Sequence, residues 1–357
     1  MRARIIMLVL VVFVLSFGAA KLWRRGQSKP TEASGQSVAV AEPAADQPKE
    51  TTAQAPEQAG ERAEQVVARP APQDFAVERG TSRFDLKGAK RLEIENPYGH
   101  VVLAPGQAEV VVERVVNARG QNAQEAKGKV KGFRVTGKQD KERGFLVEVA
   151  GDPKNLEVAV NLTVSVPAGV TVRARSGEGS VMVGDLQGSV QAEGAGGDIT
   201  VGNVKGKVTV STAYGKIEVK GASGGLEAQT SSGNLDLKNI KGGSVIARSM
   251  GGAIALRVIS ADKLIATTMS GPVDVSISQP FSGEGEVQSS SGDLLISLPT
   301  NSNCKVRTAT GSGPITCSLP LKEEKHEGTN ISGRLGAGKG MFLVTNDSGA
   351  IELRPTR

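Results

Sequence analysis

The 357 residues include 45 Gly, only 3% aromatic side chains and a formal net charge of +6. So few aromatic residues exclude a core built on large rings and call for thin layers of Val, Ile, Leu and Ala, which suits stacked strands better than a doubly wound α/β core. Lys plus Arg (43) nearly balance Asp plus Glu (37). With neither a basic helix nor aromatic stacking platforms, that balance points to a solvated surface and away from nucleic acid.

Residues 5–20 (IIMLVLVVFVLSFGAA) are uncharged and apolar, preceded by Arg2 and Arg4 and followed by Lys21, Arg24 and Arg25. Residues 1–25 therefore form a membrane-targeting segment. Retention as a signal-anchor is favoured, with Lys21 snorkelling and Trp23 at the interface. The alternative is cleavage after Ala20, since Gly18-Ala19-Ala20 suits a signal peptidase and the apolar run is shorter than the roughly 20 residues of a full span. Residues 26–72 are rich in Ala, Glu, Gln and Pro, without an aromatic side chain or an apolar period. Such a stretch buries too little to offset ordering, so a disordered linker is expected.

From Phe84 onward short alternating runs take over, and a repeat emerges. Its anchors are Gly179, Gly197, Gly215, Gly233, Gly252, Gly271, Gly292 and Gly313, in steps of 18, 18, 18, 19, 19, 21 and 21. Two residues after each stands Val181, Ile199, Ile217, Leu235, Ile254, Val273, Leu294 or Ile315, and apolar residues follow again two later, ending with Cys317. A period of two places both on one strand face. Seven and five before the anchor lies a second apolar pair, and three before comes Ser176, Gly194, Thr212, Thr230, Ser249, Thr268, Ser289 or Thr310. A hydroxyl there suits a corner whose backbone needs partners, and the Gly suits a φ that other residues avoid. Two strands and two turns in about 18 residues make one coil of a solenoid.

The same signature occurs at Leu92, Ile94, Asn96 and Gly99 with Val101 and Leu103, and at Phe342, Val344, Asn346 and Gly349 with Ile351 and Leu353. These are expected to be the first and last coils. Between Gly99 and Gly179 the pattern predicts strands over 109–116, 145–149 and 156–166, and a short helix capped by Asn122 with Glu125 three later. That insert would shield one open sheet edge, and residues 319–340 the other.

The strings VSVPAGVTVRARSGEGSVMV, SSGNLDL, SSGDLLISL and GRLGAGKGMFLVTNDSGAIEL resemble a bacterial family of adhesin-like proteins designated domain of unknown function 4097, from about Phe84 to the end. The resemblance implies a β-solenoid following a membrane-proximal stretch. It implies adhesion, with envelope-stress components among the relatives, and offers no catalytic residue to carry across. The Asp after the anchor that marks the family's repeats stands here only at Asp198 and Asp293.

Several chemical readings compete. Residues 333–339 (GRLGAGK) have phosphate-loop spacing, but Gly340 replaces the Ser or Thr and strand-like MFLVTN follows where a helix is needed. A calcium ladder through Asp198 and Asn234 would be interrupted by Lys216. Glu218 and Asp236 fall in adjacent coils and permit a glycosidase-like carboxylate pair, with Lys216, Lys220 and Lys238 nearby to neutralise it. His100 and His326 lie at opposite ends of the array. Lys220, Lys238 and Arg257 stack in three successive coils, a candidate contact for an anionic surface or equally a strand-end safeguard. Cys304 and Cys317, the only cysteines, fall at inward positions of neighbouring coils. They are a candidate disulfide in an oxidising compartment, or two buried thiols.

The expected architecture is thus all-β. It is a single two-sheet β-solenoid of about 18–21 residues per coil, with a β-rich cap containing one short helix at 84–170, regular coils at 171–318 and a capping coil at 319–357. The expected role is a non-enzymatic scaffold without cofactor or metal, single-pass in a cell membrane with its body extracytoplasmic, or periplasmic or secreted if cleaved. Its expected partners are the membrane and an envelope polymer or protein. Regulation of envelope stress and a carbohydrate-active enzyme are the alternatives.

Overall fold

A computed structural model of the chain describes residues 74–151 and 157–356. The expected membrane segment and linker lie outside the described residues, among which no helix is long and apolar enough to cross a membrane. The N-terminal part comprises β1 (Asp74–Phe84), β2 (Arg91–Asn96), β3 (Val101–Pro105), β4 (Val110–Gly120), α1 (Ala123–Val130), β5 (Arg134–Asp140), β6 (Gly144–Ala150) and β7 (Val158–Val166). Helix α1 starts where the capping signal put it: the Asn122 side chain accepts from the Glu125 N–H at 2.9 Å, and Glu125 in turn accepts from the Gln121 N–H at 2.8 Å. Strand β1 begins ahead of Phe84. Its polar sequence carries no sheet signal of its own, and antiparallel pairing with β4 over its whole length holds it.

The regular stack follows as β8 (Thr171–Ser176), β9 (Val181–Val183), β10 (Val190–Gly194), β11 (Ile199–Val204), β12 (Val208–Thr212), β13 (Ile217–Ala222), β14 (Leu226–Thr230), β15 (Leu235–Ser249), β16 (Ile254–Ser270), β17 (Val273–Ile277), β18 (Glu284–Ser291), β19 (Leu294–Leu298), β20 (Cys304–Ser312) and β21 (Ile315–Cys317). Parallel pairing aligns every repeat position in register, as in Val190↔Val208 and Ile199↔Ile217. The two inward rows after the anchors are buried in every regular coil but the outermost: Val181, Ile199, Ile217, Leu235, Ile254, Val273 and Leu294 are at most 1% exposed, whereas Ile315 and Cys317 of β21 are half-buried. Each such burial is worth about 1.5–3 kcal/mol before entropy, so the stack is stable where one coil is not.

The chain ends with β22 (Lys322–Glu327), β23 (Asn330–Arg334), β24 (Gly340–Ser348) and β25 (Ile351–Pro355). The hairpin of β22 and β23 shields the edge of β20, as expected. The coil of β24 and β25 is not the last layer, however. Strand β24 pairs with β18 on one side and β20 on the other, and β25 likewise lies between β19 and β21. The chain leaves a slot, builds the outermost coil, and returns to fill the gap. The slot fits because Gly285 stands where other coils carry Val or Leu: a Cβ there would meet the Phe342 ring at 2.3 Å, and Phe342 packs edge-on against Phe281 with centroids 5.3 Å apart.

The N-terminal end repeats this device. Strands β2 and β3 are paired on one side to β8 and β9 and on the other to β6 and β7. The coil expected to be first is therefore interior too, covered by a layer from the insert. Cys304 and Cys317 flank Gly313 in one coil, not in neighbouring coils, because each belongs to a strand of the same turn.

The anchor glycines are explained by stacking more than by φ. Positive φ occurs at Gly271, Gly292, Gly313 and Gly349, whereas the earlier anchors lack it. What they share is contact: a Cβ on Gly215, Gly233 or Gly252 would lie 2.1, 2.1 or 1.9 Å from the carbonyl oxygen of the preceding anchor. Gly252→Ala is therefore expected to destabilise the body by about 3 kcal/mol. Gly128→Ala in α1, with nothing near its added methyl, is expected to stabilise it by up to about 1 kcal/mol. Paired denaturant titrations of the two variants provide the check.

Candidate interaction surface

At the corner before each anchor, the hydroxyls bridge successive coils. Thr212 donates to the Gly197 carbonyl at 3.0 Å, Thr230 to Gly215 at 3.3 Å, Ser249 to Gly233 at 3.2 Å and Thr268 to Gly252 at 3.3 Å. Asn346 does the same to Gly292 at 2.8 Å, through its side-chain amide. Ser176 reaches both the Gly99 and Gly179 carbonyls, and the next coil carries Gly194 at the equivalent place.

The residue after the anchor forms a second ladder. Asp198 accepts from the Lys216 N–H at 2.7 Å, Asn234 from Ala253 at 3.0 Å and Asp293 from Ala350 at 2.8 Å. Each retained acid caps the backbone of the following coil. Where the preceding layer offers only Ala253 or Ala350, the next coil has Pro272 or Pro314, which has no N–H to satisfy.

On the outer face of β13, β15 and β16, the three stacked cations come out differently from one another. Lys238 donates to Asp236 at 2.9 Å, which holds its ammonium pKa above the ordinary lysine value. Arg257 reaches Asp274 at 2.5 Å. Lys220 is exposed and has no ion pair within the described residues. Glu218 and Asp236 are side by side in register, but Lys216 lies 3.2 Å from Glu218, so both carboxylates are engaged by lysines.

A charged cluster on the outer face of β2, β8 and β10 was missed in sequence. Glu93 is 2% exposed, lying 3.0 Å from Arg175 and 3.9 Å from both Arg143 and Arg173. Arg175 also holds Glu95 at 2.8 Å and Glu193 at 2.9 Å. Burial works against the Arg175 charge, but the hydrogen bonds of Glu193 and Glu95 prevail and raise its pKa. For Glu193 burial pulls upward, and Arg173 and Arg175 outweigh it to hold the carboxyl low. The signal was available in the positions six and four before the anchors, where Glu93 and Glu95 meet Arg173 and Arg175 in register.

The remaining candidates stand apart. His100 accepts from the Ser180 N–H at 2.9 Å, and His326 contacts Glu324 at 2.8 Å on β22. The GRLGAGK segment runs from β23 into β24, with no helix N-terminus to hold a phosphate. No group of three or more His, Cys, Asp or Glu that could hold a metal ion occurs among the described residues. Cys304 and Cys317 are free thiols, the first buried and the second half-buried.

Arg175→Met strands Glu93 in a buried site and is expected to cost about 3 kcal/mol. Lys238→Met, at an exposed pair, should change stability by under about 0.5 kcal/mol. Chemical denaturation of both compares them directly. Burial raises the Cys304 thiol from 9.0 to about 11, so the unfolded chain ionises first as pH rises. Its contribution to stability is intact below pH 9.0 and is lost on approaching about pH 11. At neutral pH, alkylation of Cys304 should be slow in the native protein and rapid after unfolding, as mass spectrometry would read.

No curated protein matches the chain. Among solved structures, a provisionally assigned cell adhesion protein from Clostridium sporogenes is 9% identical with a TM-score of 0.21, covering 79% of this chain and 100% of its own. Provisionally assigned adhesins from Bacteroides fragilis (10% identical, TM-score 0.37) and Parabacteroides distasonis (12%, 0.42) each cover 77% of this chain and 97% of their own. Overlaps of this size transfer nothing to this chain. The family described as Toastrack DUF4097, by contrast, matches residues 89–354, which takes in the stack from its first signature to its last, and the chain belongs to that family.

Proposed function

We propose that this chain is a membrane-tethered extracytoplasmic scaffold whose solenoid engages a cell-envelope polymer, an adhesive role without catalysis. One observation carries the proposal: outward side chains repeat in register along broad strand faces held by a dry core, as in the row Thr200, Glu218, Asp236, Ala255 and Asp274. Repeated contacts at layer spacing suit a polymer, because linked weak sites gain avidity without any one being strong. In this reading the apolar residues 5–20 supply the tether, and residues 26–72, rich in Ala, Glu, Gln and Pro, space the body from it. The enzymatic alternative needs an acid and a base free to exchange protons with substrate, and Glu218 and Asp236 are both held by lysines.

The test is co-sedimentation of the full-length protein with purified peptidoglycan sacculi. Retention is expected to fall at least about tenfold in the Lys220→Glu, Lys238→Glu, Arg257→Glu variant, and also near 1 M salt, where the screening length is about 3 Å. Unchanged retention in the triple variant would overturn the assignment of this face. Release of soluble wall fragments by the protein would overturn the non-catalytic reading.

A further inference from the structure

We infer that the C-terminal end of the solenoid carries a self-complementary face that pairs two copies of this chain. The face is built by the intercalated coil. In register across β18, β24 and β20, Glu284 lies beside Met341 and Met341 beside Lys305; one step along, Glu286 lies beside Leu343 and Leu343 beside Arg307. All six point outward, because they alternate with the buried Gly285, Phe342 and Val306. Three successive layers thus present an acidic pair, an apolar pair and a basic pair. The arrangement exists only because the last coil of the sequence sits between the other two.

The four charged side chains are exposed and make no ion pair or side-chain hydrogen bond within the described residues, unlike the Arg175, Lys238 and Arg257 networks. Met341 is 36% exposed. With Leu343, Ile265, Glu284 and Glu286 it lines a shallow depression of about 260 Å³. Acid, apolar and base rows in that order are complementary to their own reverse. A two-fold axis lying in the interface along β24 keeps strand direction and reverses layer order. It sets Glu284 and Glu286 of one copy against Lys305 and Arg307 of the other, twice over, and Met341 and Leu343 onto their counterparts. Lys263, one layer before Glu284, then faces Arg334, whose charge Glu323 already neutralises at 2.5 Å. Pairing through the adjacent sheet edge is disfavoured, because every residue of β22, Lys322-Glu323-Glu324-Lys325-His326-Glu327, is exposed and most are charged.

This geometry overlaps the two bodies only near their C-terminal ends and leaves the two β1 strands at opposite ends of the pair. Self-association stands independently of the envelope-binding reading, since its test contains no envelope ligand.

The experiment is sedimentation equilibrium of the full-length chain in mild detergent. The wild type is expected to dimerise. The Glu284→Lys, Glu286→Lys variant and the Lys305→Glu, Arg307→Glu variant should each associate at least about tenfold more weakly, as like charges then oppose one another. An equimolar mixture of the two should recover a heterodimer, because one copy is then wholly basic and the other wholly acidic along the face. Unaltered thermal melts of the separate variants would show that only the surface has changed. A wild type that stays monomeric, variants that dimerise as well as the wild type, or a mixture that fails to recover association would each overturn the proposal. Failure to bind sacculi would leave it standing.

Discussion

Glycine lying directly on glycine is the contact on which the molecule depends. At each corner the carbonyl of one anchor occupies the space that a Cβ on the next would need, and at most corners a side-chain donor three residues before that next anchor bonds the same carbonyl. Position and polarity are therefore fixed together: the layers can approach only if the anchor has no side chain, and the approaching carbonyl is satisfied only if the corner carries a small donor. Once that contact sets the register, the inward rows follow, and within the regular coils the core closes mainly on Val, Ile, Leu and Ala.

A strictly repeating stack has two weak points, its ends, where a coil has a neighbour on only one side. This chain moves both weak points away from the repeats. Its first signature is covered by β6 and β7 and its last is enclosed by β20 and β21. Closing these long-range pairings costs chain entropy, but that cost grows only slowly with the length enclosed. In return, the coil of β24 and β25 is hydrogen-bonded on both sides. What remains outermost is β5 and β1 at one end and β22 with the three-residue β21 at the other, and all of these but β21 pair antiparallel to their neighbours.

Much of this was legible in the sequence, for a definite reason. An inward row such as Ile199, Ile217 and Leu235 must recur at every layer, and the recurrence is visible without knowing which layers touch. Layer order is different. Any permutation of coils preserves the period, so Phe342 to Leu353 looked terminal. The clues to its true place lie in pairwise fit: Gly285 yields to the ring of Phe342, and Pro314 follows Ala350 in space as Pro272 follows Ala253. The interaction surface was half-legible on the same grounds. Lys220, Lys238 and Arg257 lie on strands of successive layers, but the neutralisation of Lys238 by Asp236 and of Arg257 by Asp274 involves a position two residues away on the same strand or one layer further on. Such partners emerge only when outward rows are read beside one another, as for Glu93 and Arg173.

That reading also says where recognition can reside. A charge paired within the chain is already satisfied, and a partner must displace that pair to use it. A charge left unpaired on a rigid face gives little stability, but its fixed position favours some partners and penalises others. On this molecule the paired charges lie mainly toward the N-terminal and central layers, while Lys220 and the rows of Glu284, Glu286, Lys305 and Arg307 remain unsatisfied among the described residues. The spacing of those rows is set by the backbone stack, not by flexible loops. A glycine substitution deep in the corner ladder would therefore shift the charged rows relative to one another, and stacking in the core would reach the surface as a change in which partners fit.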